Sequence, residues 1–259
     1  MTQKLGFNLL GLEINPLYHE QLLSKINEWI SSKEIGHMVV FANTHVVMEN
    51  RNNESLNEAL QKASLIIPDG MPLVVIARMR GYELKSRPDG PGFMEKAMTN
   101  ERYNHWRHYI LGGTEEVLNR LIASYPDVLI VGKYSLPFRQ TTSEEDLALI
   151  AEINASNADV LWVGLGCPKQ EIWIAEHLNQ LRVPVMLGVG QAFDILARVK
   201  PRAPEWMQNN GLEWFYRLLN EPKRVWKRYL LYNPQFIILV TLEEFHLRSA
   251  NLYARLHKL

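Results

Sequence analysis

The sequence predicts an α/β fold, a parallel sheet with helices on both faces, followed by a helical C-terminal stretch. Three observations predict it. Short, nearly uninterrupted apolar runs alternate with longer amphipathic segments through residues 1–204. Polar or glycine-bearing turns follow several of these runs, as in Pro68–Pro72 and Gly188–Asp194. After Pro204 the alternation stops, and the chain becomes helical in pattern, aromatic and basic. The expected division is therefore an α/β domain over residues 1–204 and an appendage over residues 205–259.

Taken in order, Tyr18–Ile30 reads as a helix with Leu22, Leu23, Ile26 and Ile30 on one stripe. His37–Phe41 is the first clear strand, continuous in apolar residues as a strand covered on both faces must be. Glu54–Ala63 reads as a helix and Ser64–Ile67 as a short strand. Pro72–Arg80 is a helix whose proline sits at a tolerated first-turn position. His108–Leu111 is a strand, and Thr114–Ser124 a helix with a threonine cap and two glutamates in its first turn. Val128–Val131 is the next strand, and Ser143–Asn154 a helix opened by Ser143 and Asp146 as a capping pair. Val160–Val163, a helix over Pro168–Leu181 and the strand Val185–Val189 complete a Rossmann-like alternation. Pro222 and Pro234 mark breaks in the appendage, and the pattern leaves open whether residues 236–259 form one helix or two.

Composition narrows the function. The 259 residues are 47% hydrophobic and 22% charged, the balance of a folded globular protein. Lysine plus arginine equals aspartate plus glutamate at 28 each, so nothing favours general nucleic-acid binding. A single cysteine excludes an internal disulfide and a cysteine-rich zinc site. Met1–Gly11 lacks the features of a signal peptide, and the longest late apolar run, Phe236–Val240, is only five residues. A cytoplasmic protein, soluble or peripherally attached to membrane, is expected. Histidines and acids show no metal-ligand spacing, so neither a metal nor another cofactor is expected.

The zero net charge hides an asymmetry. Residues 201–259 carry nine basic and five acidic side chains. Arg217, Arg224 and Lys227 cluster with Trp214, Phe215, Tyr216, Trp226 and Tyr229. Cations among aromatics suit an anionic lipid surface or a phosphorylated ligand. A solvated helix face with its aromatics turned inward is the other reading.

Active sites of parallel sheets lie beyond the carboxyl ends of the strands, so the residues there are the candidates. Asn43 offers an amide that can donate and accept, or can cap a helix. Asp69, in a turn framed by Pro68, Gly70 and Pro72, is placed as a general base or again as a cap. Arg87 precedes a loop of two prolines and two glycines and could hold a diphosphate, or stand as a surface arginine. Gln170 lies in the first helical turn after Gly164–Gly166, and Asp194 follows the Gly188–Gly190 turn. Gly112–Gly113 is neither a full dinucleotide fingerprint nor a Walker loop. Cys167, before a proline and tied to no histidine motif, reads as a packing residue.

These pieces, in this order, resemble the bacterial WecG/TagA/CpsF glycosyltransferase family. The matching segments are NTHVV from Asn43, IIPDGMPLV from Ile66, SRPDGPGFM from Ser86, GLGCPKQE from Gly164, GVGQAFD from Gly188, PRAPEWM from Pro201 and LEWFYRL from Leu212. The resemblance implies inverting, metal-independent transfer of a sugar from a UDP-sugar to a polyprenyl-diphosphate-linked saccharide, on the cytoplasmic membrane face. It implies Asp69 as the base for the acceptor hydroxyl and Arg87 near the diphosphate. It places Asn43, Gln170 and Asp194 in the nucleotide-sugar pocket, with Arg217, Arg224 and Lys227 brought over the diphosphate by the appendage. It further implies an appendage that closes the pocket and contacts the membrane, and a homo-oligomer that competes with membrane attachment. The chain departs from the family pattern at Phe41, at Thr44 and His45, at Pro88 and Asp89 and at Lys227. The first two departures border the sugar pocket, so the resemblance does not fix the donor sugar. Two other classes remain compatible with the residues: a nucleotide-cofactor oxidoreductase and a non-catalytic membrane-surface module.

Overall fold

The computed structural model describes residues 6–85, 87–137, 139 and 141–256, and for Asn209, Arg224, Lys227, Arg228, Arg248 and residues 250–256 the backbone alone. The described chain begins with a hairpin of two short antiparallel strands, β1 (Phe7–Leu9) and β2 (Leu12–Ile14). A parallel six-stranded sheet follows, formed by β3 (His37–Ala42), β4 (Leu65–Pro68), β5 (His108–Gly112), β6 (Ile130–Tyr134), β7 (Val160–Gly164) and β8 (Val185–Gly188). Their spatial order is β4-β3-β8-β7-β5-β6. The chain moves outward from β3 to β4, crosses over to build the other half, and returns at β8 beside β3. The loops leaving β3, β4 and β8 therefore gather at one rim of the sheet, where such folds bind ligands.

Alternation along the strands divides the core in two. Met38, Val40 and Ala42 of β3 point to one face, where α2 (Thr44–Asn50), α3 (Glu54–Gln61), α4 (Met71–Met79), α7 (Ser143–Ser156), α8 (Lys169–His177) and the hairpin pack. Val39 and Phe41 point to the other, covered by α1 (His19–Ser31), α5 (Gly90–Thr99), α6 (Glu115–Ser124) and α9 (Ala192–Leu196). Trp106, Tyr109 and Trp162 are fully buried, and each removes a large apolar area from water.

The C-terminal stretch is helical from Glu205: α10 (Glu205–Asn209), α11 (Glu213–Asn220), α12 (Pro222–Lys227), a π-helical turn over Arg228–Tyr232 and α13 (Asn233–Leu256). It folds back over the rim. Gly211 closes on Met71 at the start of α4, and Tyr232 donates its hydroxyl to Glu49 at 2.9 Å. Phe236 enters the core. Arg80 grips α13 through Glu243 at 2.6 Å and Glu244 at 2.7 Å, and Glu243 also accepts from the Leu10 N–H.

Four local readings differ from the sequence pattern. The α7 cap is Thr142, whose hydroxyl accepts from the Glu145 N–H while the Glu145 carboxylate takes the Thr142 N–H. Ser143 and Asp146 are thus already helical. The strand expected at Val128–Val131 begins at Ile130, because Val128 is held in a turn by Tyr125. The helix expected to run to Leu181 ends at His177. Pro222 does mark a break, between α11 and α12, whereas Pro234 stands in the first turn of one long α13 and does not divide it.

Candidate active site

Asp69 and Arg87 line the same cavity. It has a volume of about 130 Å³ and is bounded by Asn43, His45, Met71, Glu213, Trp214, Arg217 and Tyr229, among others. Sheet geometry brings the first residues together. Ala42 pairs with Pro68 across β3 and β4, and the next N–H, that of Asp69, donates to Ala42 O at 2.7 Å. Asn43 and Asp69 therefore emerge side by side. Gly70 then turns the chain into α4 with φ of +94°, a conformation costly for a residue with a Cβ.

Asn43 is a helix cap that also lines the cavity. Its Oδ1 caps α2 by accepting from the N–H groups of His45 at 3.0 Å and Val46 at 3.3 Å, while the residue lines the cavity. His45 stacks on Tyr232, with ring centroids 5.6 Å apart.

Charge is concentrated and paired around this cavity. Arg87 donates to Glu213 Oε2 at 2.6 Å and to Gln208 Oε1 at 3.2 Å, and stands 3.7 Å from Asp89. Arg217 donates to the other oxygen of Glu213 at 2.6 Å and reaches Gln191 at 3.5 Å. Asp89 caps α5 through Gly92 and accepts from Arg202 at 2.5 Å. Its backbone N–H donates to His19 Nε2 at 3.1 Å, and burial lowers the pKa of that imidazole.

The electrostatics follow from burial and neighbours. Desolvation, reinforced by the charges of Asp89 and Glu213, pushes the Asp69 carboxyl up from 3.8 to about 7, against the pull of Arg87 and Arg217. Glu213 is the reverse case. Burial alone would raise it, but Arg217 and Arg87 hold it down at about 2. Burial works against the charge of both arginines too, yet the acids around them raise their pKa. The site thus holds one carboxyl poised to take a proton near neutrality and two guanidiniums fixed in the charged state.

Other anticipated residues lie elsewhere. Gln170 is buried, and its Oε1 accepts from the N–H groups of Gly166 at 3.1 Å and Gly190 at 2.9 Å, clasping the turns after β7 and β8. Gly188 lets it approach, since a Cβ there would stand 2.8 Å from Gln170 Nε2. Gln170 in turn donates to buried Glu171 at 2.8 Å. Asp194, on α9, pairs with Lys200 at 3.0 Å. Neither Gln170 nor Asp194 lines the Asp69 cavity. The side chains of Arg224 and Lys227 lie outside the described residues. Cys167 is partly buried at a cis peptide bond to Pro168.

Sequence reasoning missed Glu213, Asp89 and Arg202 as members of the site. A signal existed for the first: Glu213 and Arg217 stand four residues apart on one helix face.

The family described as glycosyl transferase WecG/TagA/CpsF matches residues 7–250. The chain belongs to this family. Its glycosyltransferase class displaces both the oxidoreductase and the non-catalytic module. Curated relatives include proteins of Staphylococcus aureus strains MW2 and NCTC 8325 / PS 47, each named N-acetylglucosaminyldiphosphoundecaprenol N-acetyl-beta-D-mannosaminyltransferase. Both are 28% identical to this chain over 223 residues, covering 84% of it and 86% of the relative. Within the family motifs, PDG supplies Asp69, the arginine loop supplies Arg87 and Asp89, and LEWFYRL supplies Glu213 and Arg217.

Proposed function

We propose that this glycosyltransferase moves a sugar from a UDP-sugar to a polyprenyl-diphosphate-linked saccharide by single displacement with inversion. The acceptor hydroxyl gives its proton to the Asp69 carboxylate as its oxygen attacks the anomeric carbon. The bond from that carbon to the β-phosphate oxygen breaks on the opposite face, and UDP leaves with the bonding pair. Negative charge grows on the diphosphate, and Arg87 and Arg217 neutralise it. The observation that carries this reading is the meeting, in one cavity, of a carboxyl with pKa about 7 and two partly buried arginines. The relatives' printed name, a transferase acting on an undecaprenol-diphosphate-linked sugar, supports the acceptor class.

The C-terminal helices serve as lid and membrane contact. Glu213, Trp214, Arg217 and Tyr229 form the lid side of a cavity of about 130 Å³. Small-molecule sites usually enclose roughly 300–1,000 Å³, so a nucleotide sugar requires α11 to move outward on entry. Among the described residues no helix is long and apolar enough to cross a membrane. Yet Ile238, Leu242 and Phe245 form an exposed stripe on α13, opposite the face that buries Phe236 and pairs with Arg80. Trp214, Phe215 and Trp226 are exposed as well, rather than turned into the core. Such a surface suits the headgroup layer of the cytoplasmic leaflet. A homo-oligomer that covers the same stripe would compete with the membrane for it. The test is UDP release from a panel of UDP-sugars, with and without a short-chain polyprenyl-diphosphate saccharide. Acceptor-dependent release from one donor is expected; no release from any donor contradicts the reading.

A further inference from the structure

We propose that Glu213 is a positioning residue that orients Arg87 and Arg217 toward the departing diphosphate. This inference rests on the glycosyl-transfer reading above. The two arginines come from separate parts of the chain, one from the loop before α5 and the other from α11. Brought together without an intervening anion, their like charges would repel. Glu213 stands between them and gives one oxygen to each, at 2.6 Å in both cases. Gln208 and Gln191 take one further donor from Arg87 and Arg217 respectively. A guanidinium has five N–H donors in a rigid fork. These contacts therefore set the plane of each group and leave further donors for phosphate oxygens. Glu213 is 17% exposed at the side chain, and each of its oxygens accepts from a guanidinium. Its part is to fix where the two cations point.

The same carboxylate is one of the charges that face Asp69. The others are Asp89 and Arg87 from the loop before α5 and Arg217 from α11, with His45 of α2 and Tyr229 of the π-helical turn also lining the cavity. Neutralising Glu213 removes a repelling charge and releases two attracting ones, so Asp69 ionises at lower pH. A carboxylate that only stabilised the fold would not move that limb of the pH profile.

The test compares Glu213→Gln and Glu213→Asp in the full-length protein, with UDP release measured against pH using the donor and acceptor that the wild type uses. Glu213→Gln keeps the shape but cannot accept from both guanidiniums. A misplacement of about 1 Å costs on the order of a hundredfold in rate, so its kcat falls by about that factor. Its acid limb in kcat/KM moves to lower pH. Glu213→Asp keeps the charge but, one methylene shorter, spans to only one arginine, so kcat falls while the limb stays in place. Wild-type kcat in both variants, or an unmoved limb in Glu213→Gln, overturns the proposal. Absence of UDP release from the wild type itself overturns the underlying reading instead.

Discussion

Acidification alone should switch this enzyme off far above the pH at which an ordinary aspartate protonates. Asp69 moves from 3.8 to about 7. The shift of roughly 3 units corresponds to about 4 kcal/mol of preference for the neutral form. In the proposed mechanism only the carboxylate form of Asp69 can take the acceptor's proton. With a pKa of 7 it is ionised in about nine molecules of ten at pH 8, one in ten at pH 6 and one in a hundred at pH 5. In kcat/KM, which reports the free enzyme, activity should fall about tenfold from pH 8 to pH 6 and about hundredfold by pH 5. Initial rates of UDP release at low acceptor concentration measure this. Asp89→Asn removes the neighbouring charge that ranks next to burial in raising Asp69, so its limb should lie at lower pH. A profile flat from pH 8 down to pH 5 would refute the reasoning, because an aspartate of ordinary pKa stays ionised throughout that interval.

The raised pKa of Asp69 also has a consequence for stability. Between 3.8 and about 7 the folded state holds a proton on Asp69 that the unfolded state lacks, so this group's contribution to stability falls as pH rises through that window. Asp69→Asn should therefore melt above the wild type at pH 8, and an equal or lower Tm would contradict it. Arg87→Gln should lower kcat by about a hundredfold and move the acid limb to higher pH, read in the same UDP-release assay. Gln170→Ala leaves the Gly166 and Gly190 N–H groups without their acceptor and should cost about 1–3 kcal/mol in urea unfolding. The pair Ile238→Glu and Phe245→Glu should abolish sedimentation with anionic vesicles while leaving UDP release with a short-chain acceptor unchanged.

Much of this architecture is legible in the chain because two-sided burial demands continuous apolar strands, and His37–Ala42 and Val160–Gly164 are of that kind. The β1–β2 hairpin is not, since three-residue strands carry too little periodicity to stand out from a loop. Asp69 stands out in the sequence because proline and glycine shape its turn at the end of β4, and Arg87 because prolines and glycines shape the loop between α4 and α5. In the sequence Glu213 is one of five acids in a basic tail. Its meaning depends on α11 folding back to within 2.6 Å of Arg87, which spacing does not reveal. Gln170 shows the converse. An amide after a glycine turn can face a ligand or the backbone, and here two N–H groups of neighbouring turns claim its oxygen. Asp194 likewise answers to Lys200, which only the fold brings alongside.

In the proposed mechanism Asp69 takes the acceptor's proton in a pocket whose arginines hold the leaving group. Asp69→Asn tests it most directly, with transfer to a lipid-linked saccharide and calorimetric binding of UDP measured on the same preparation. Transfer is expected to fall by about a hundredfold or more while UDP binds as tightly as to the wild type. Transfer near the wild-type rate by this variant would contradict it.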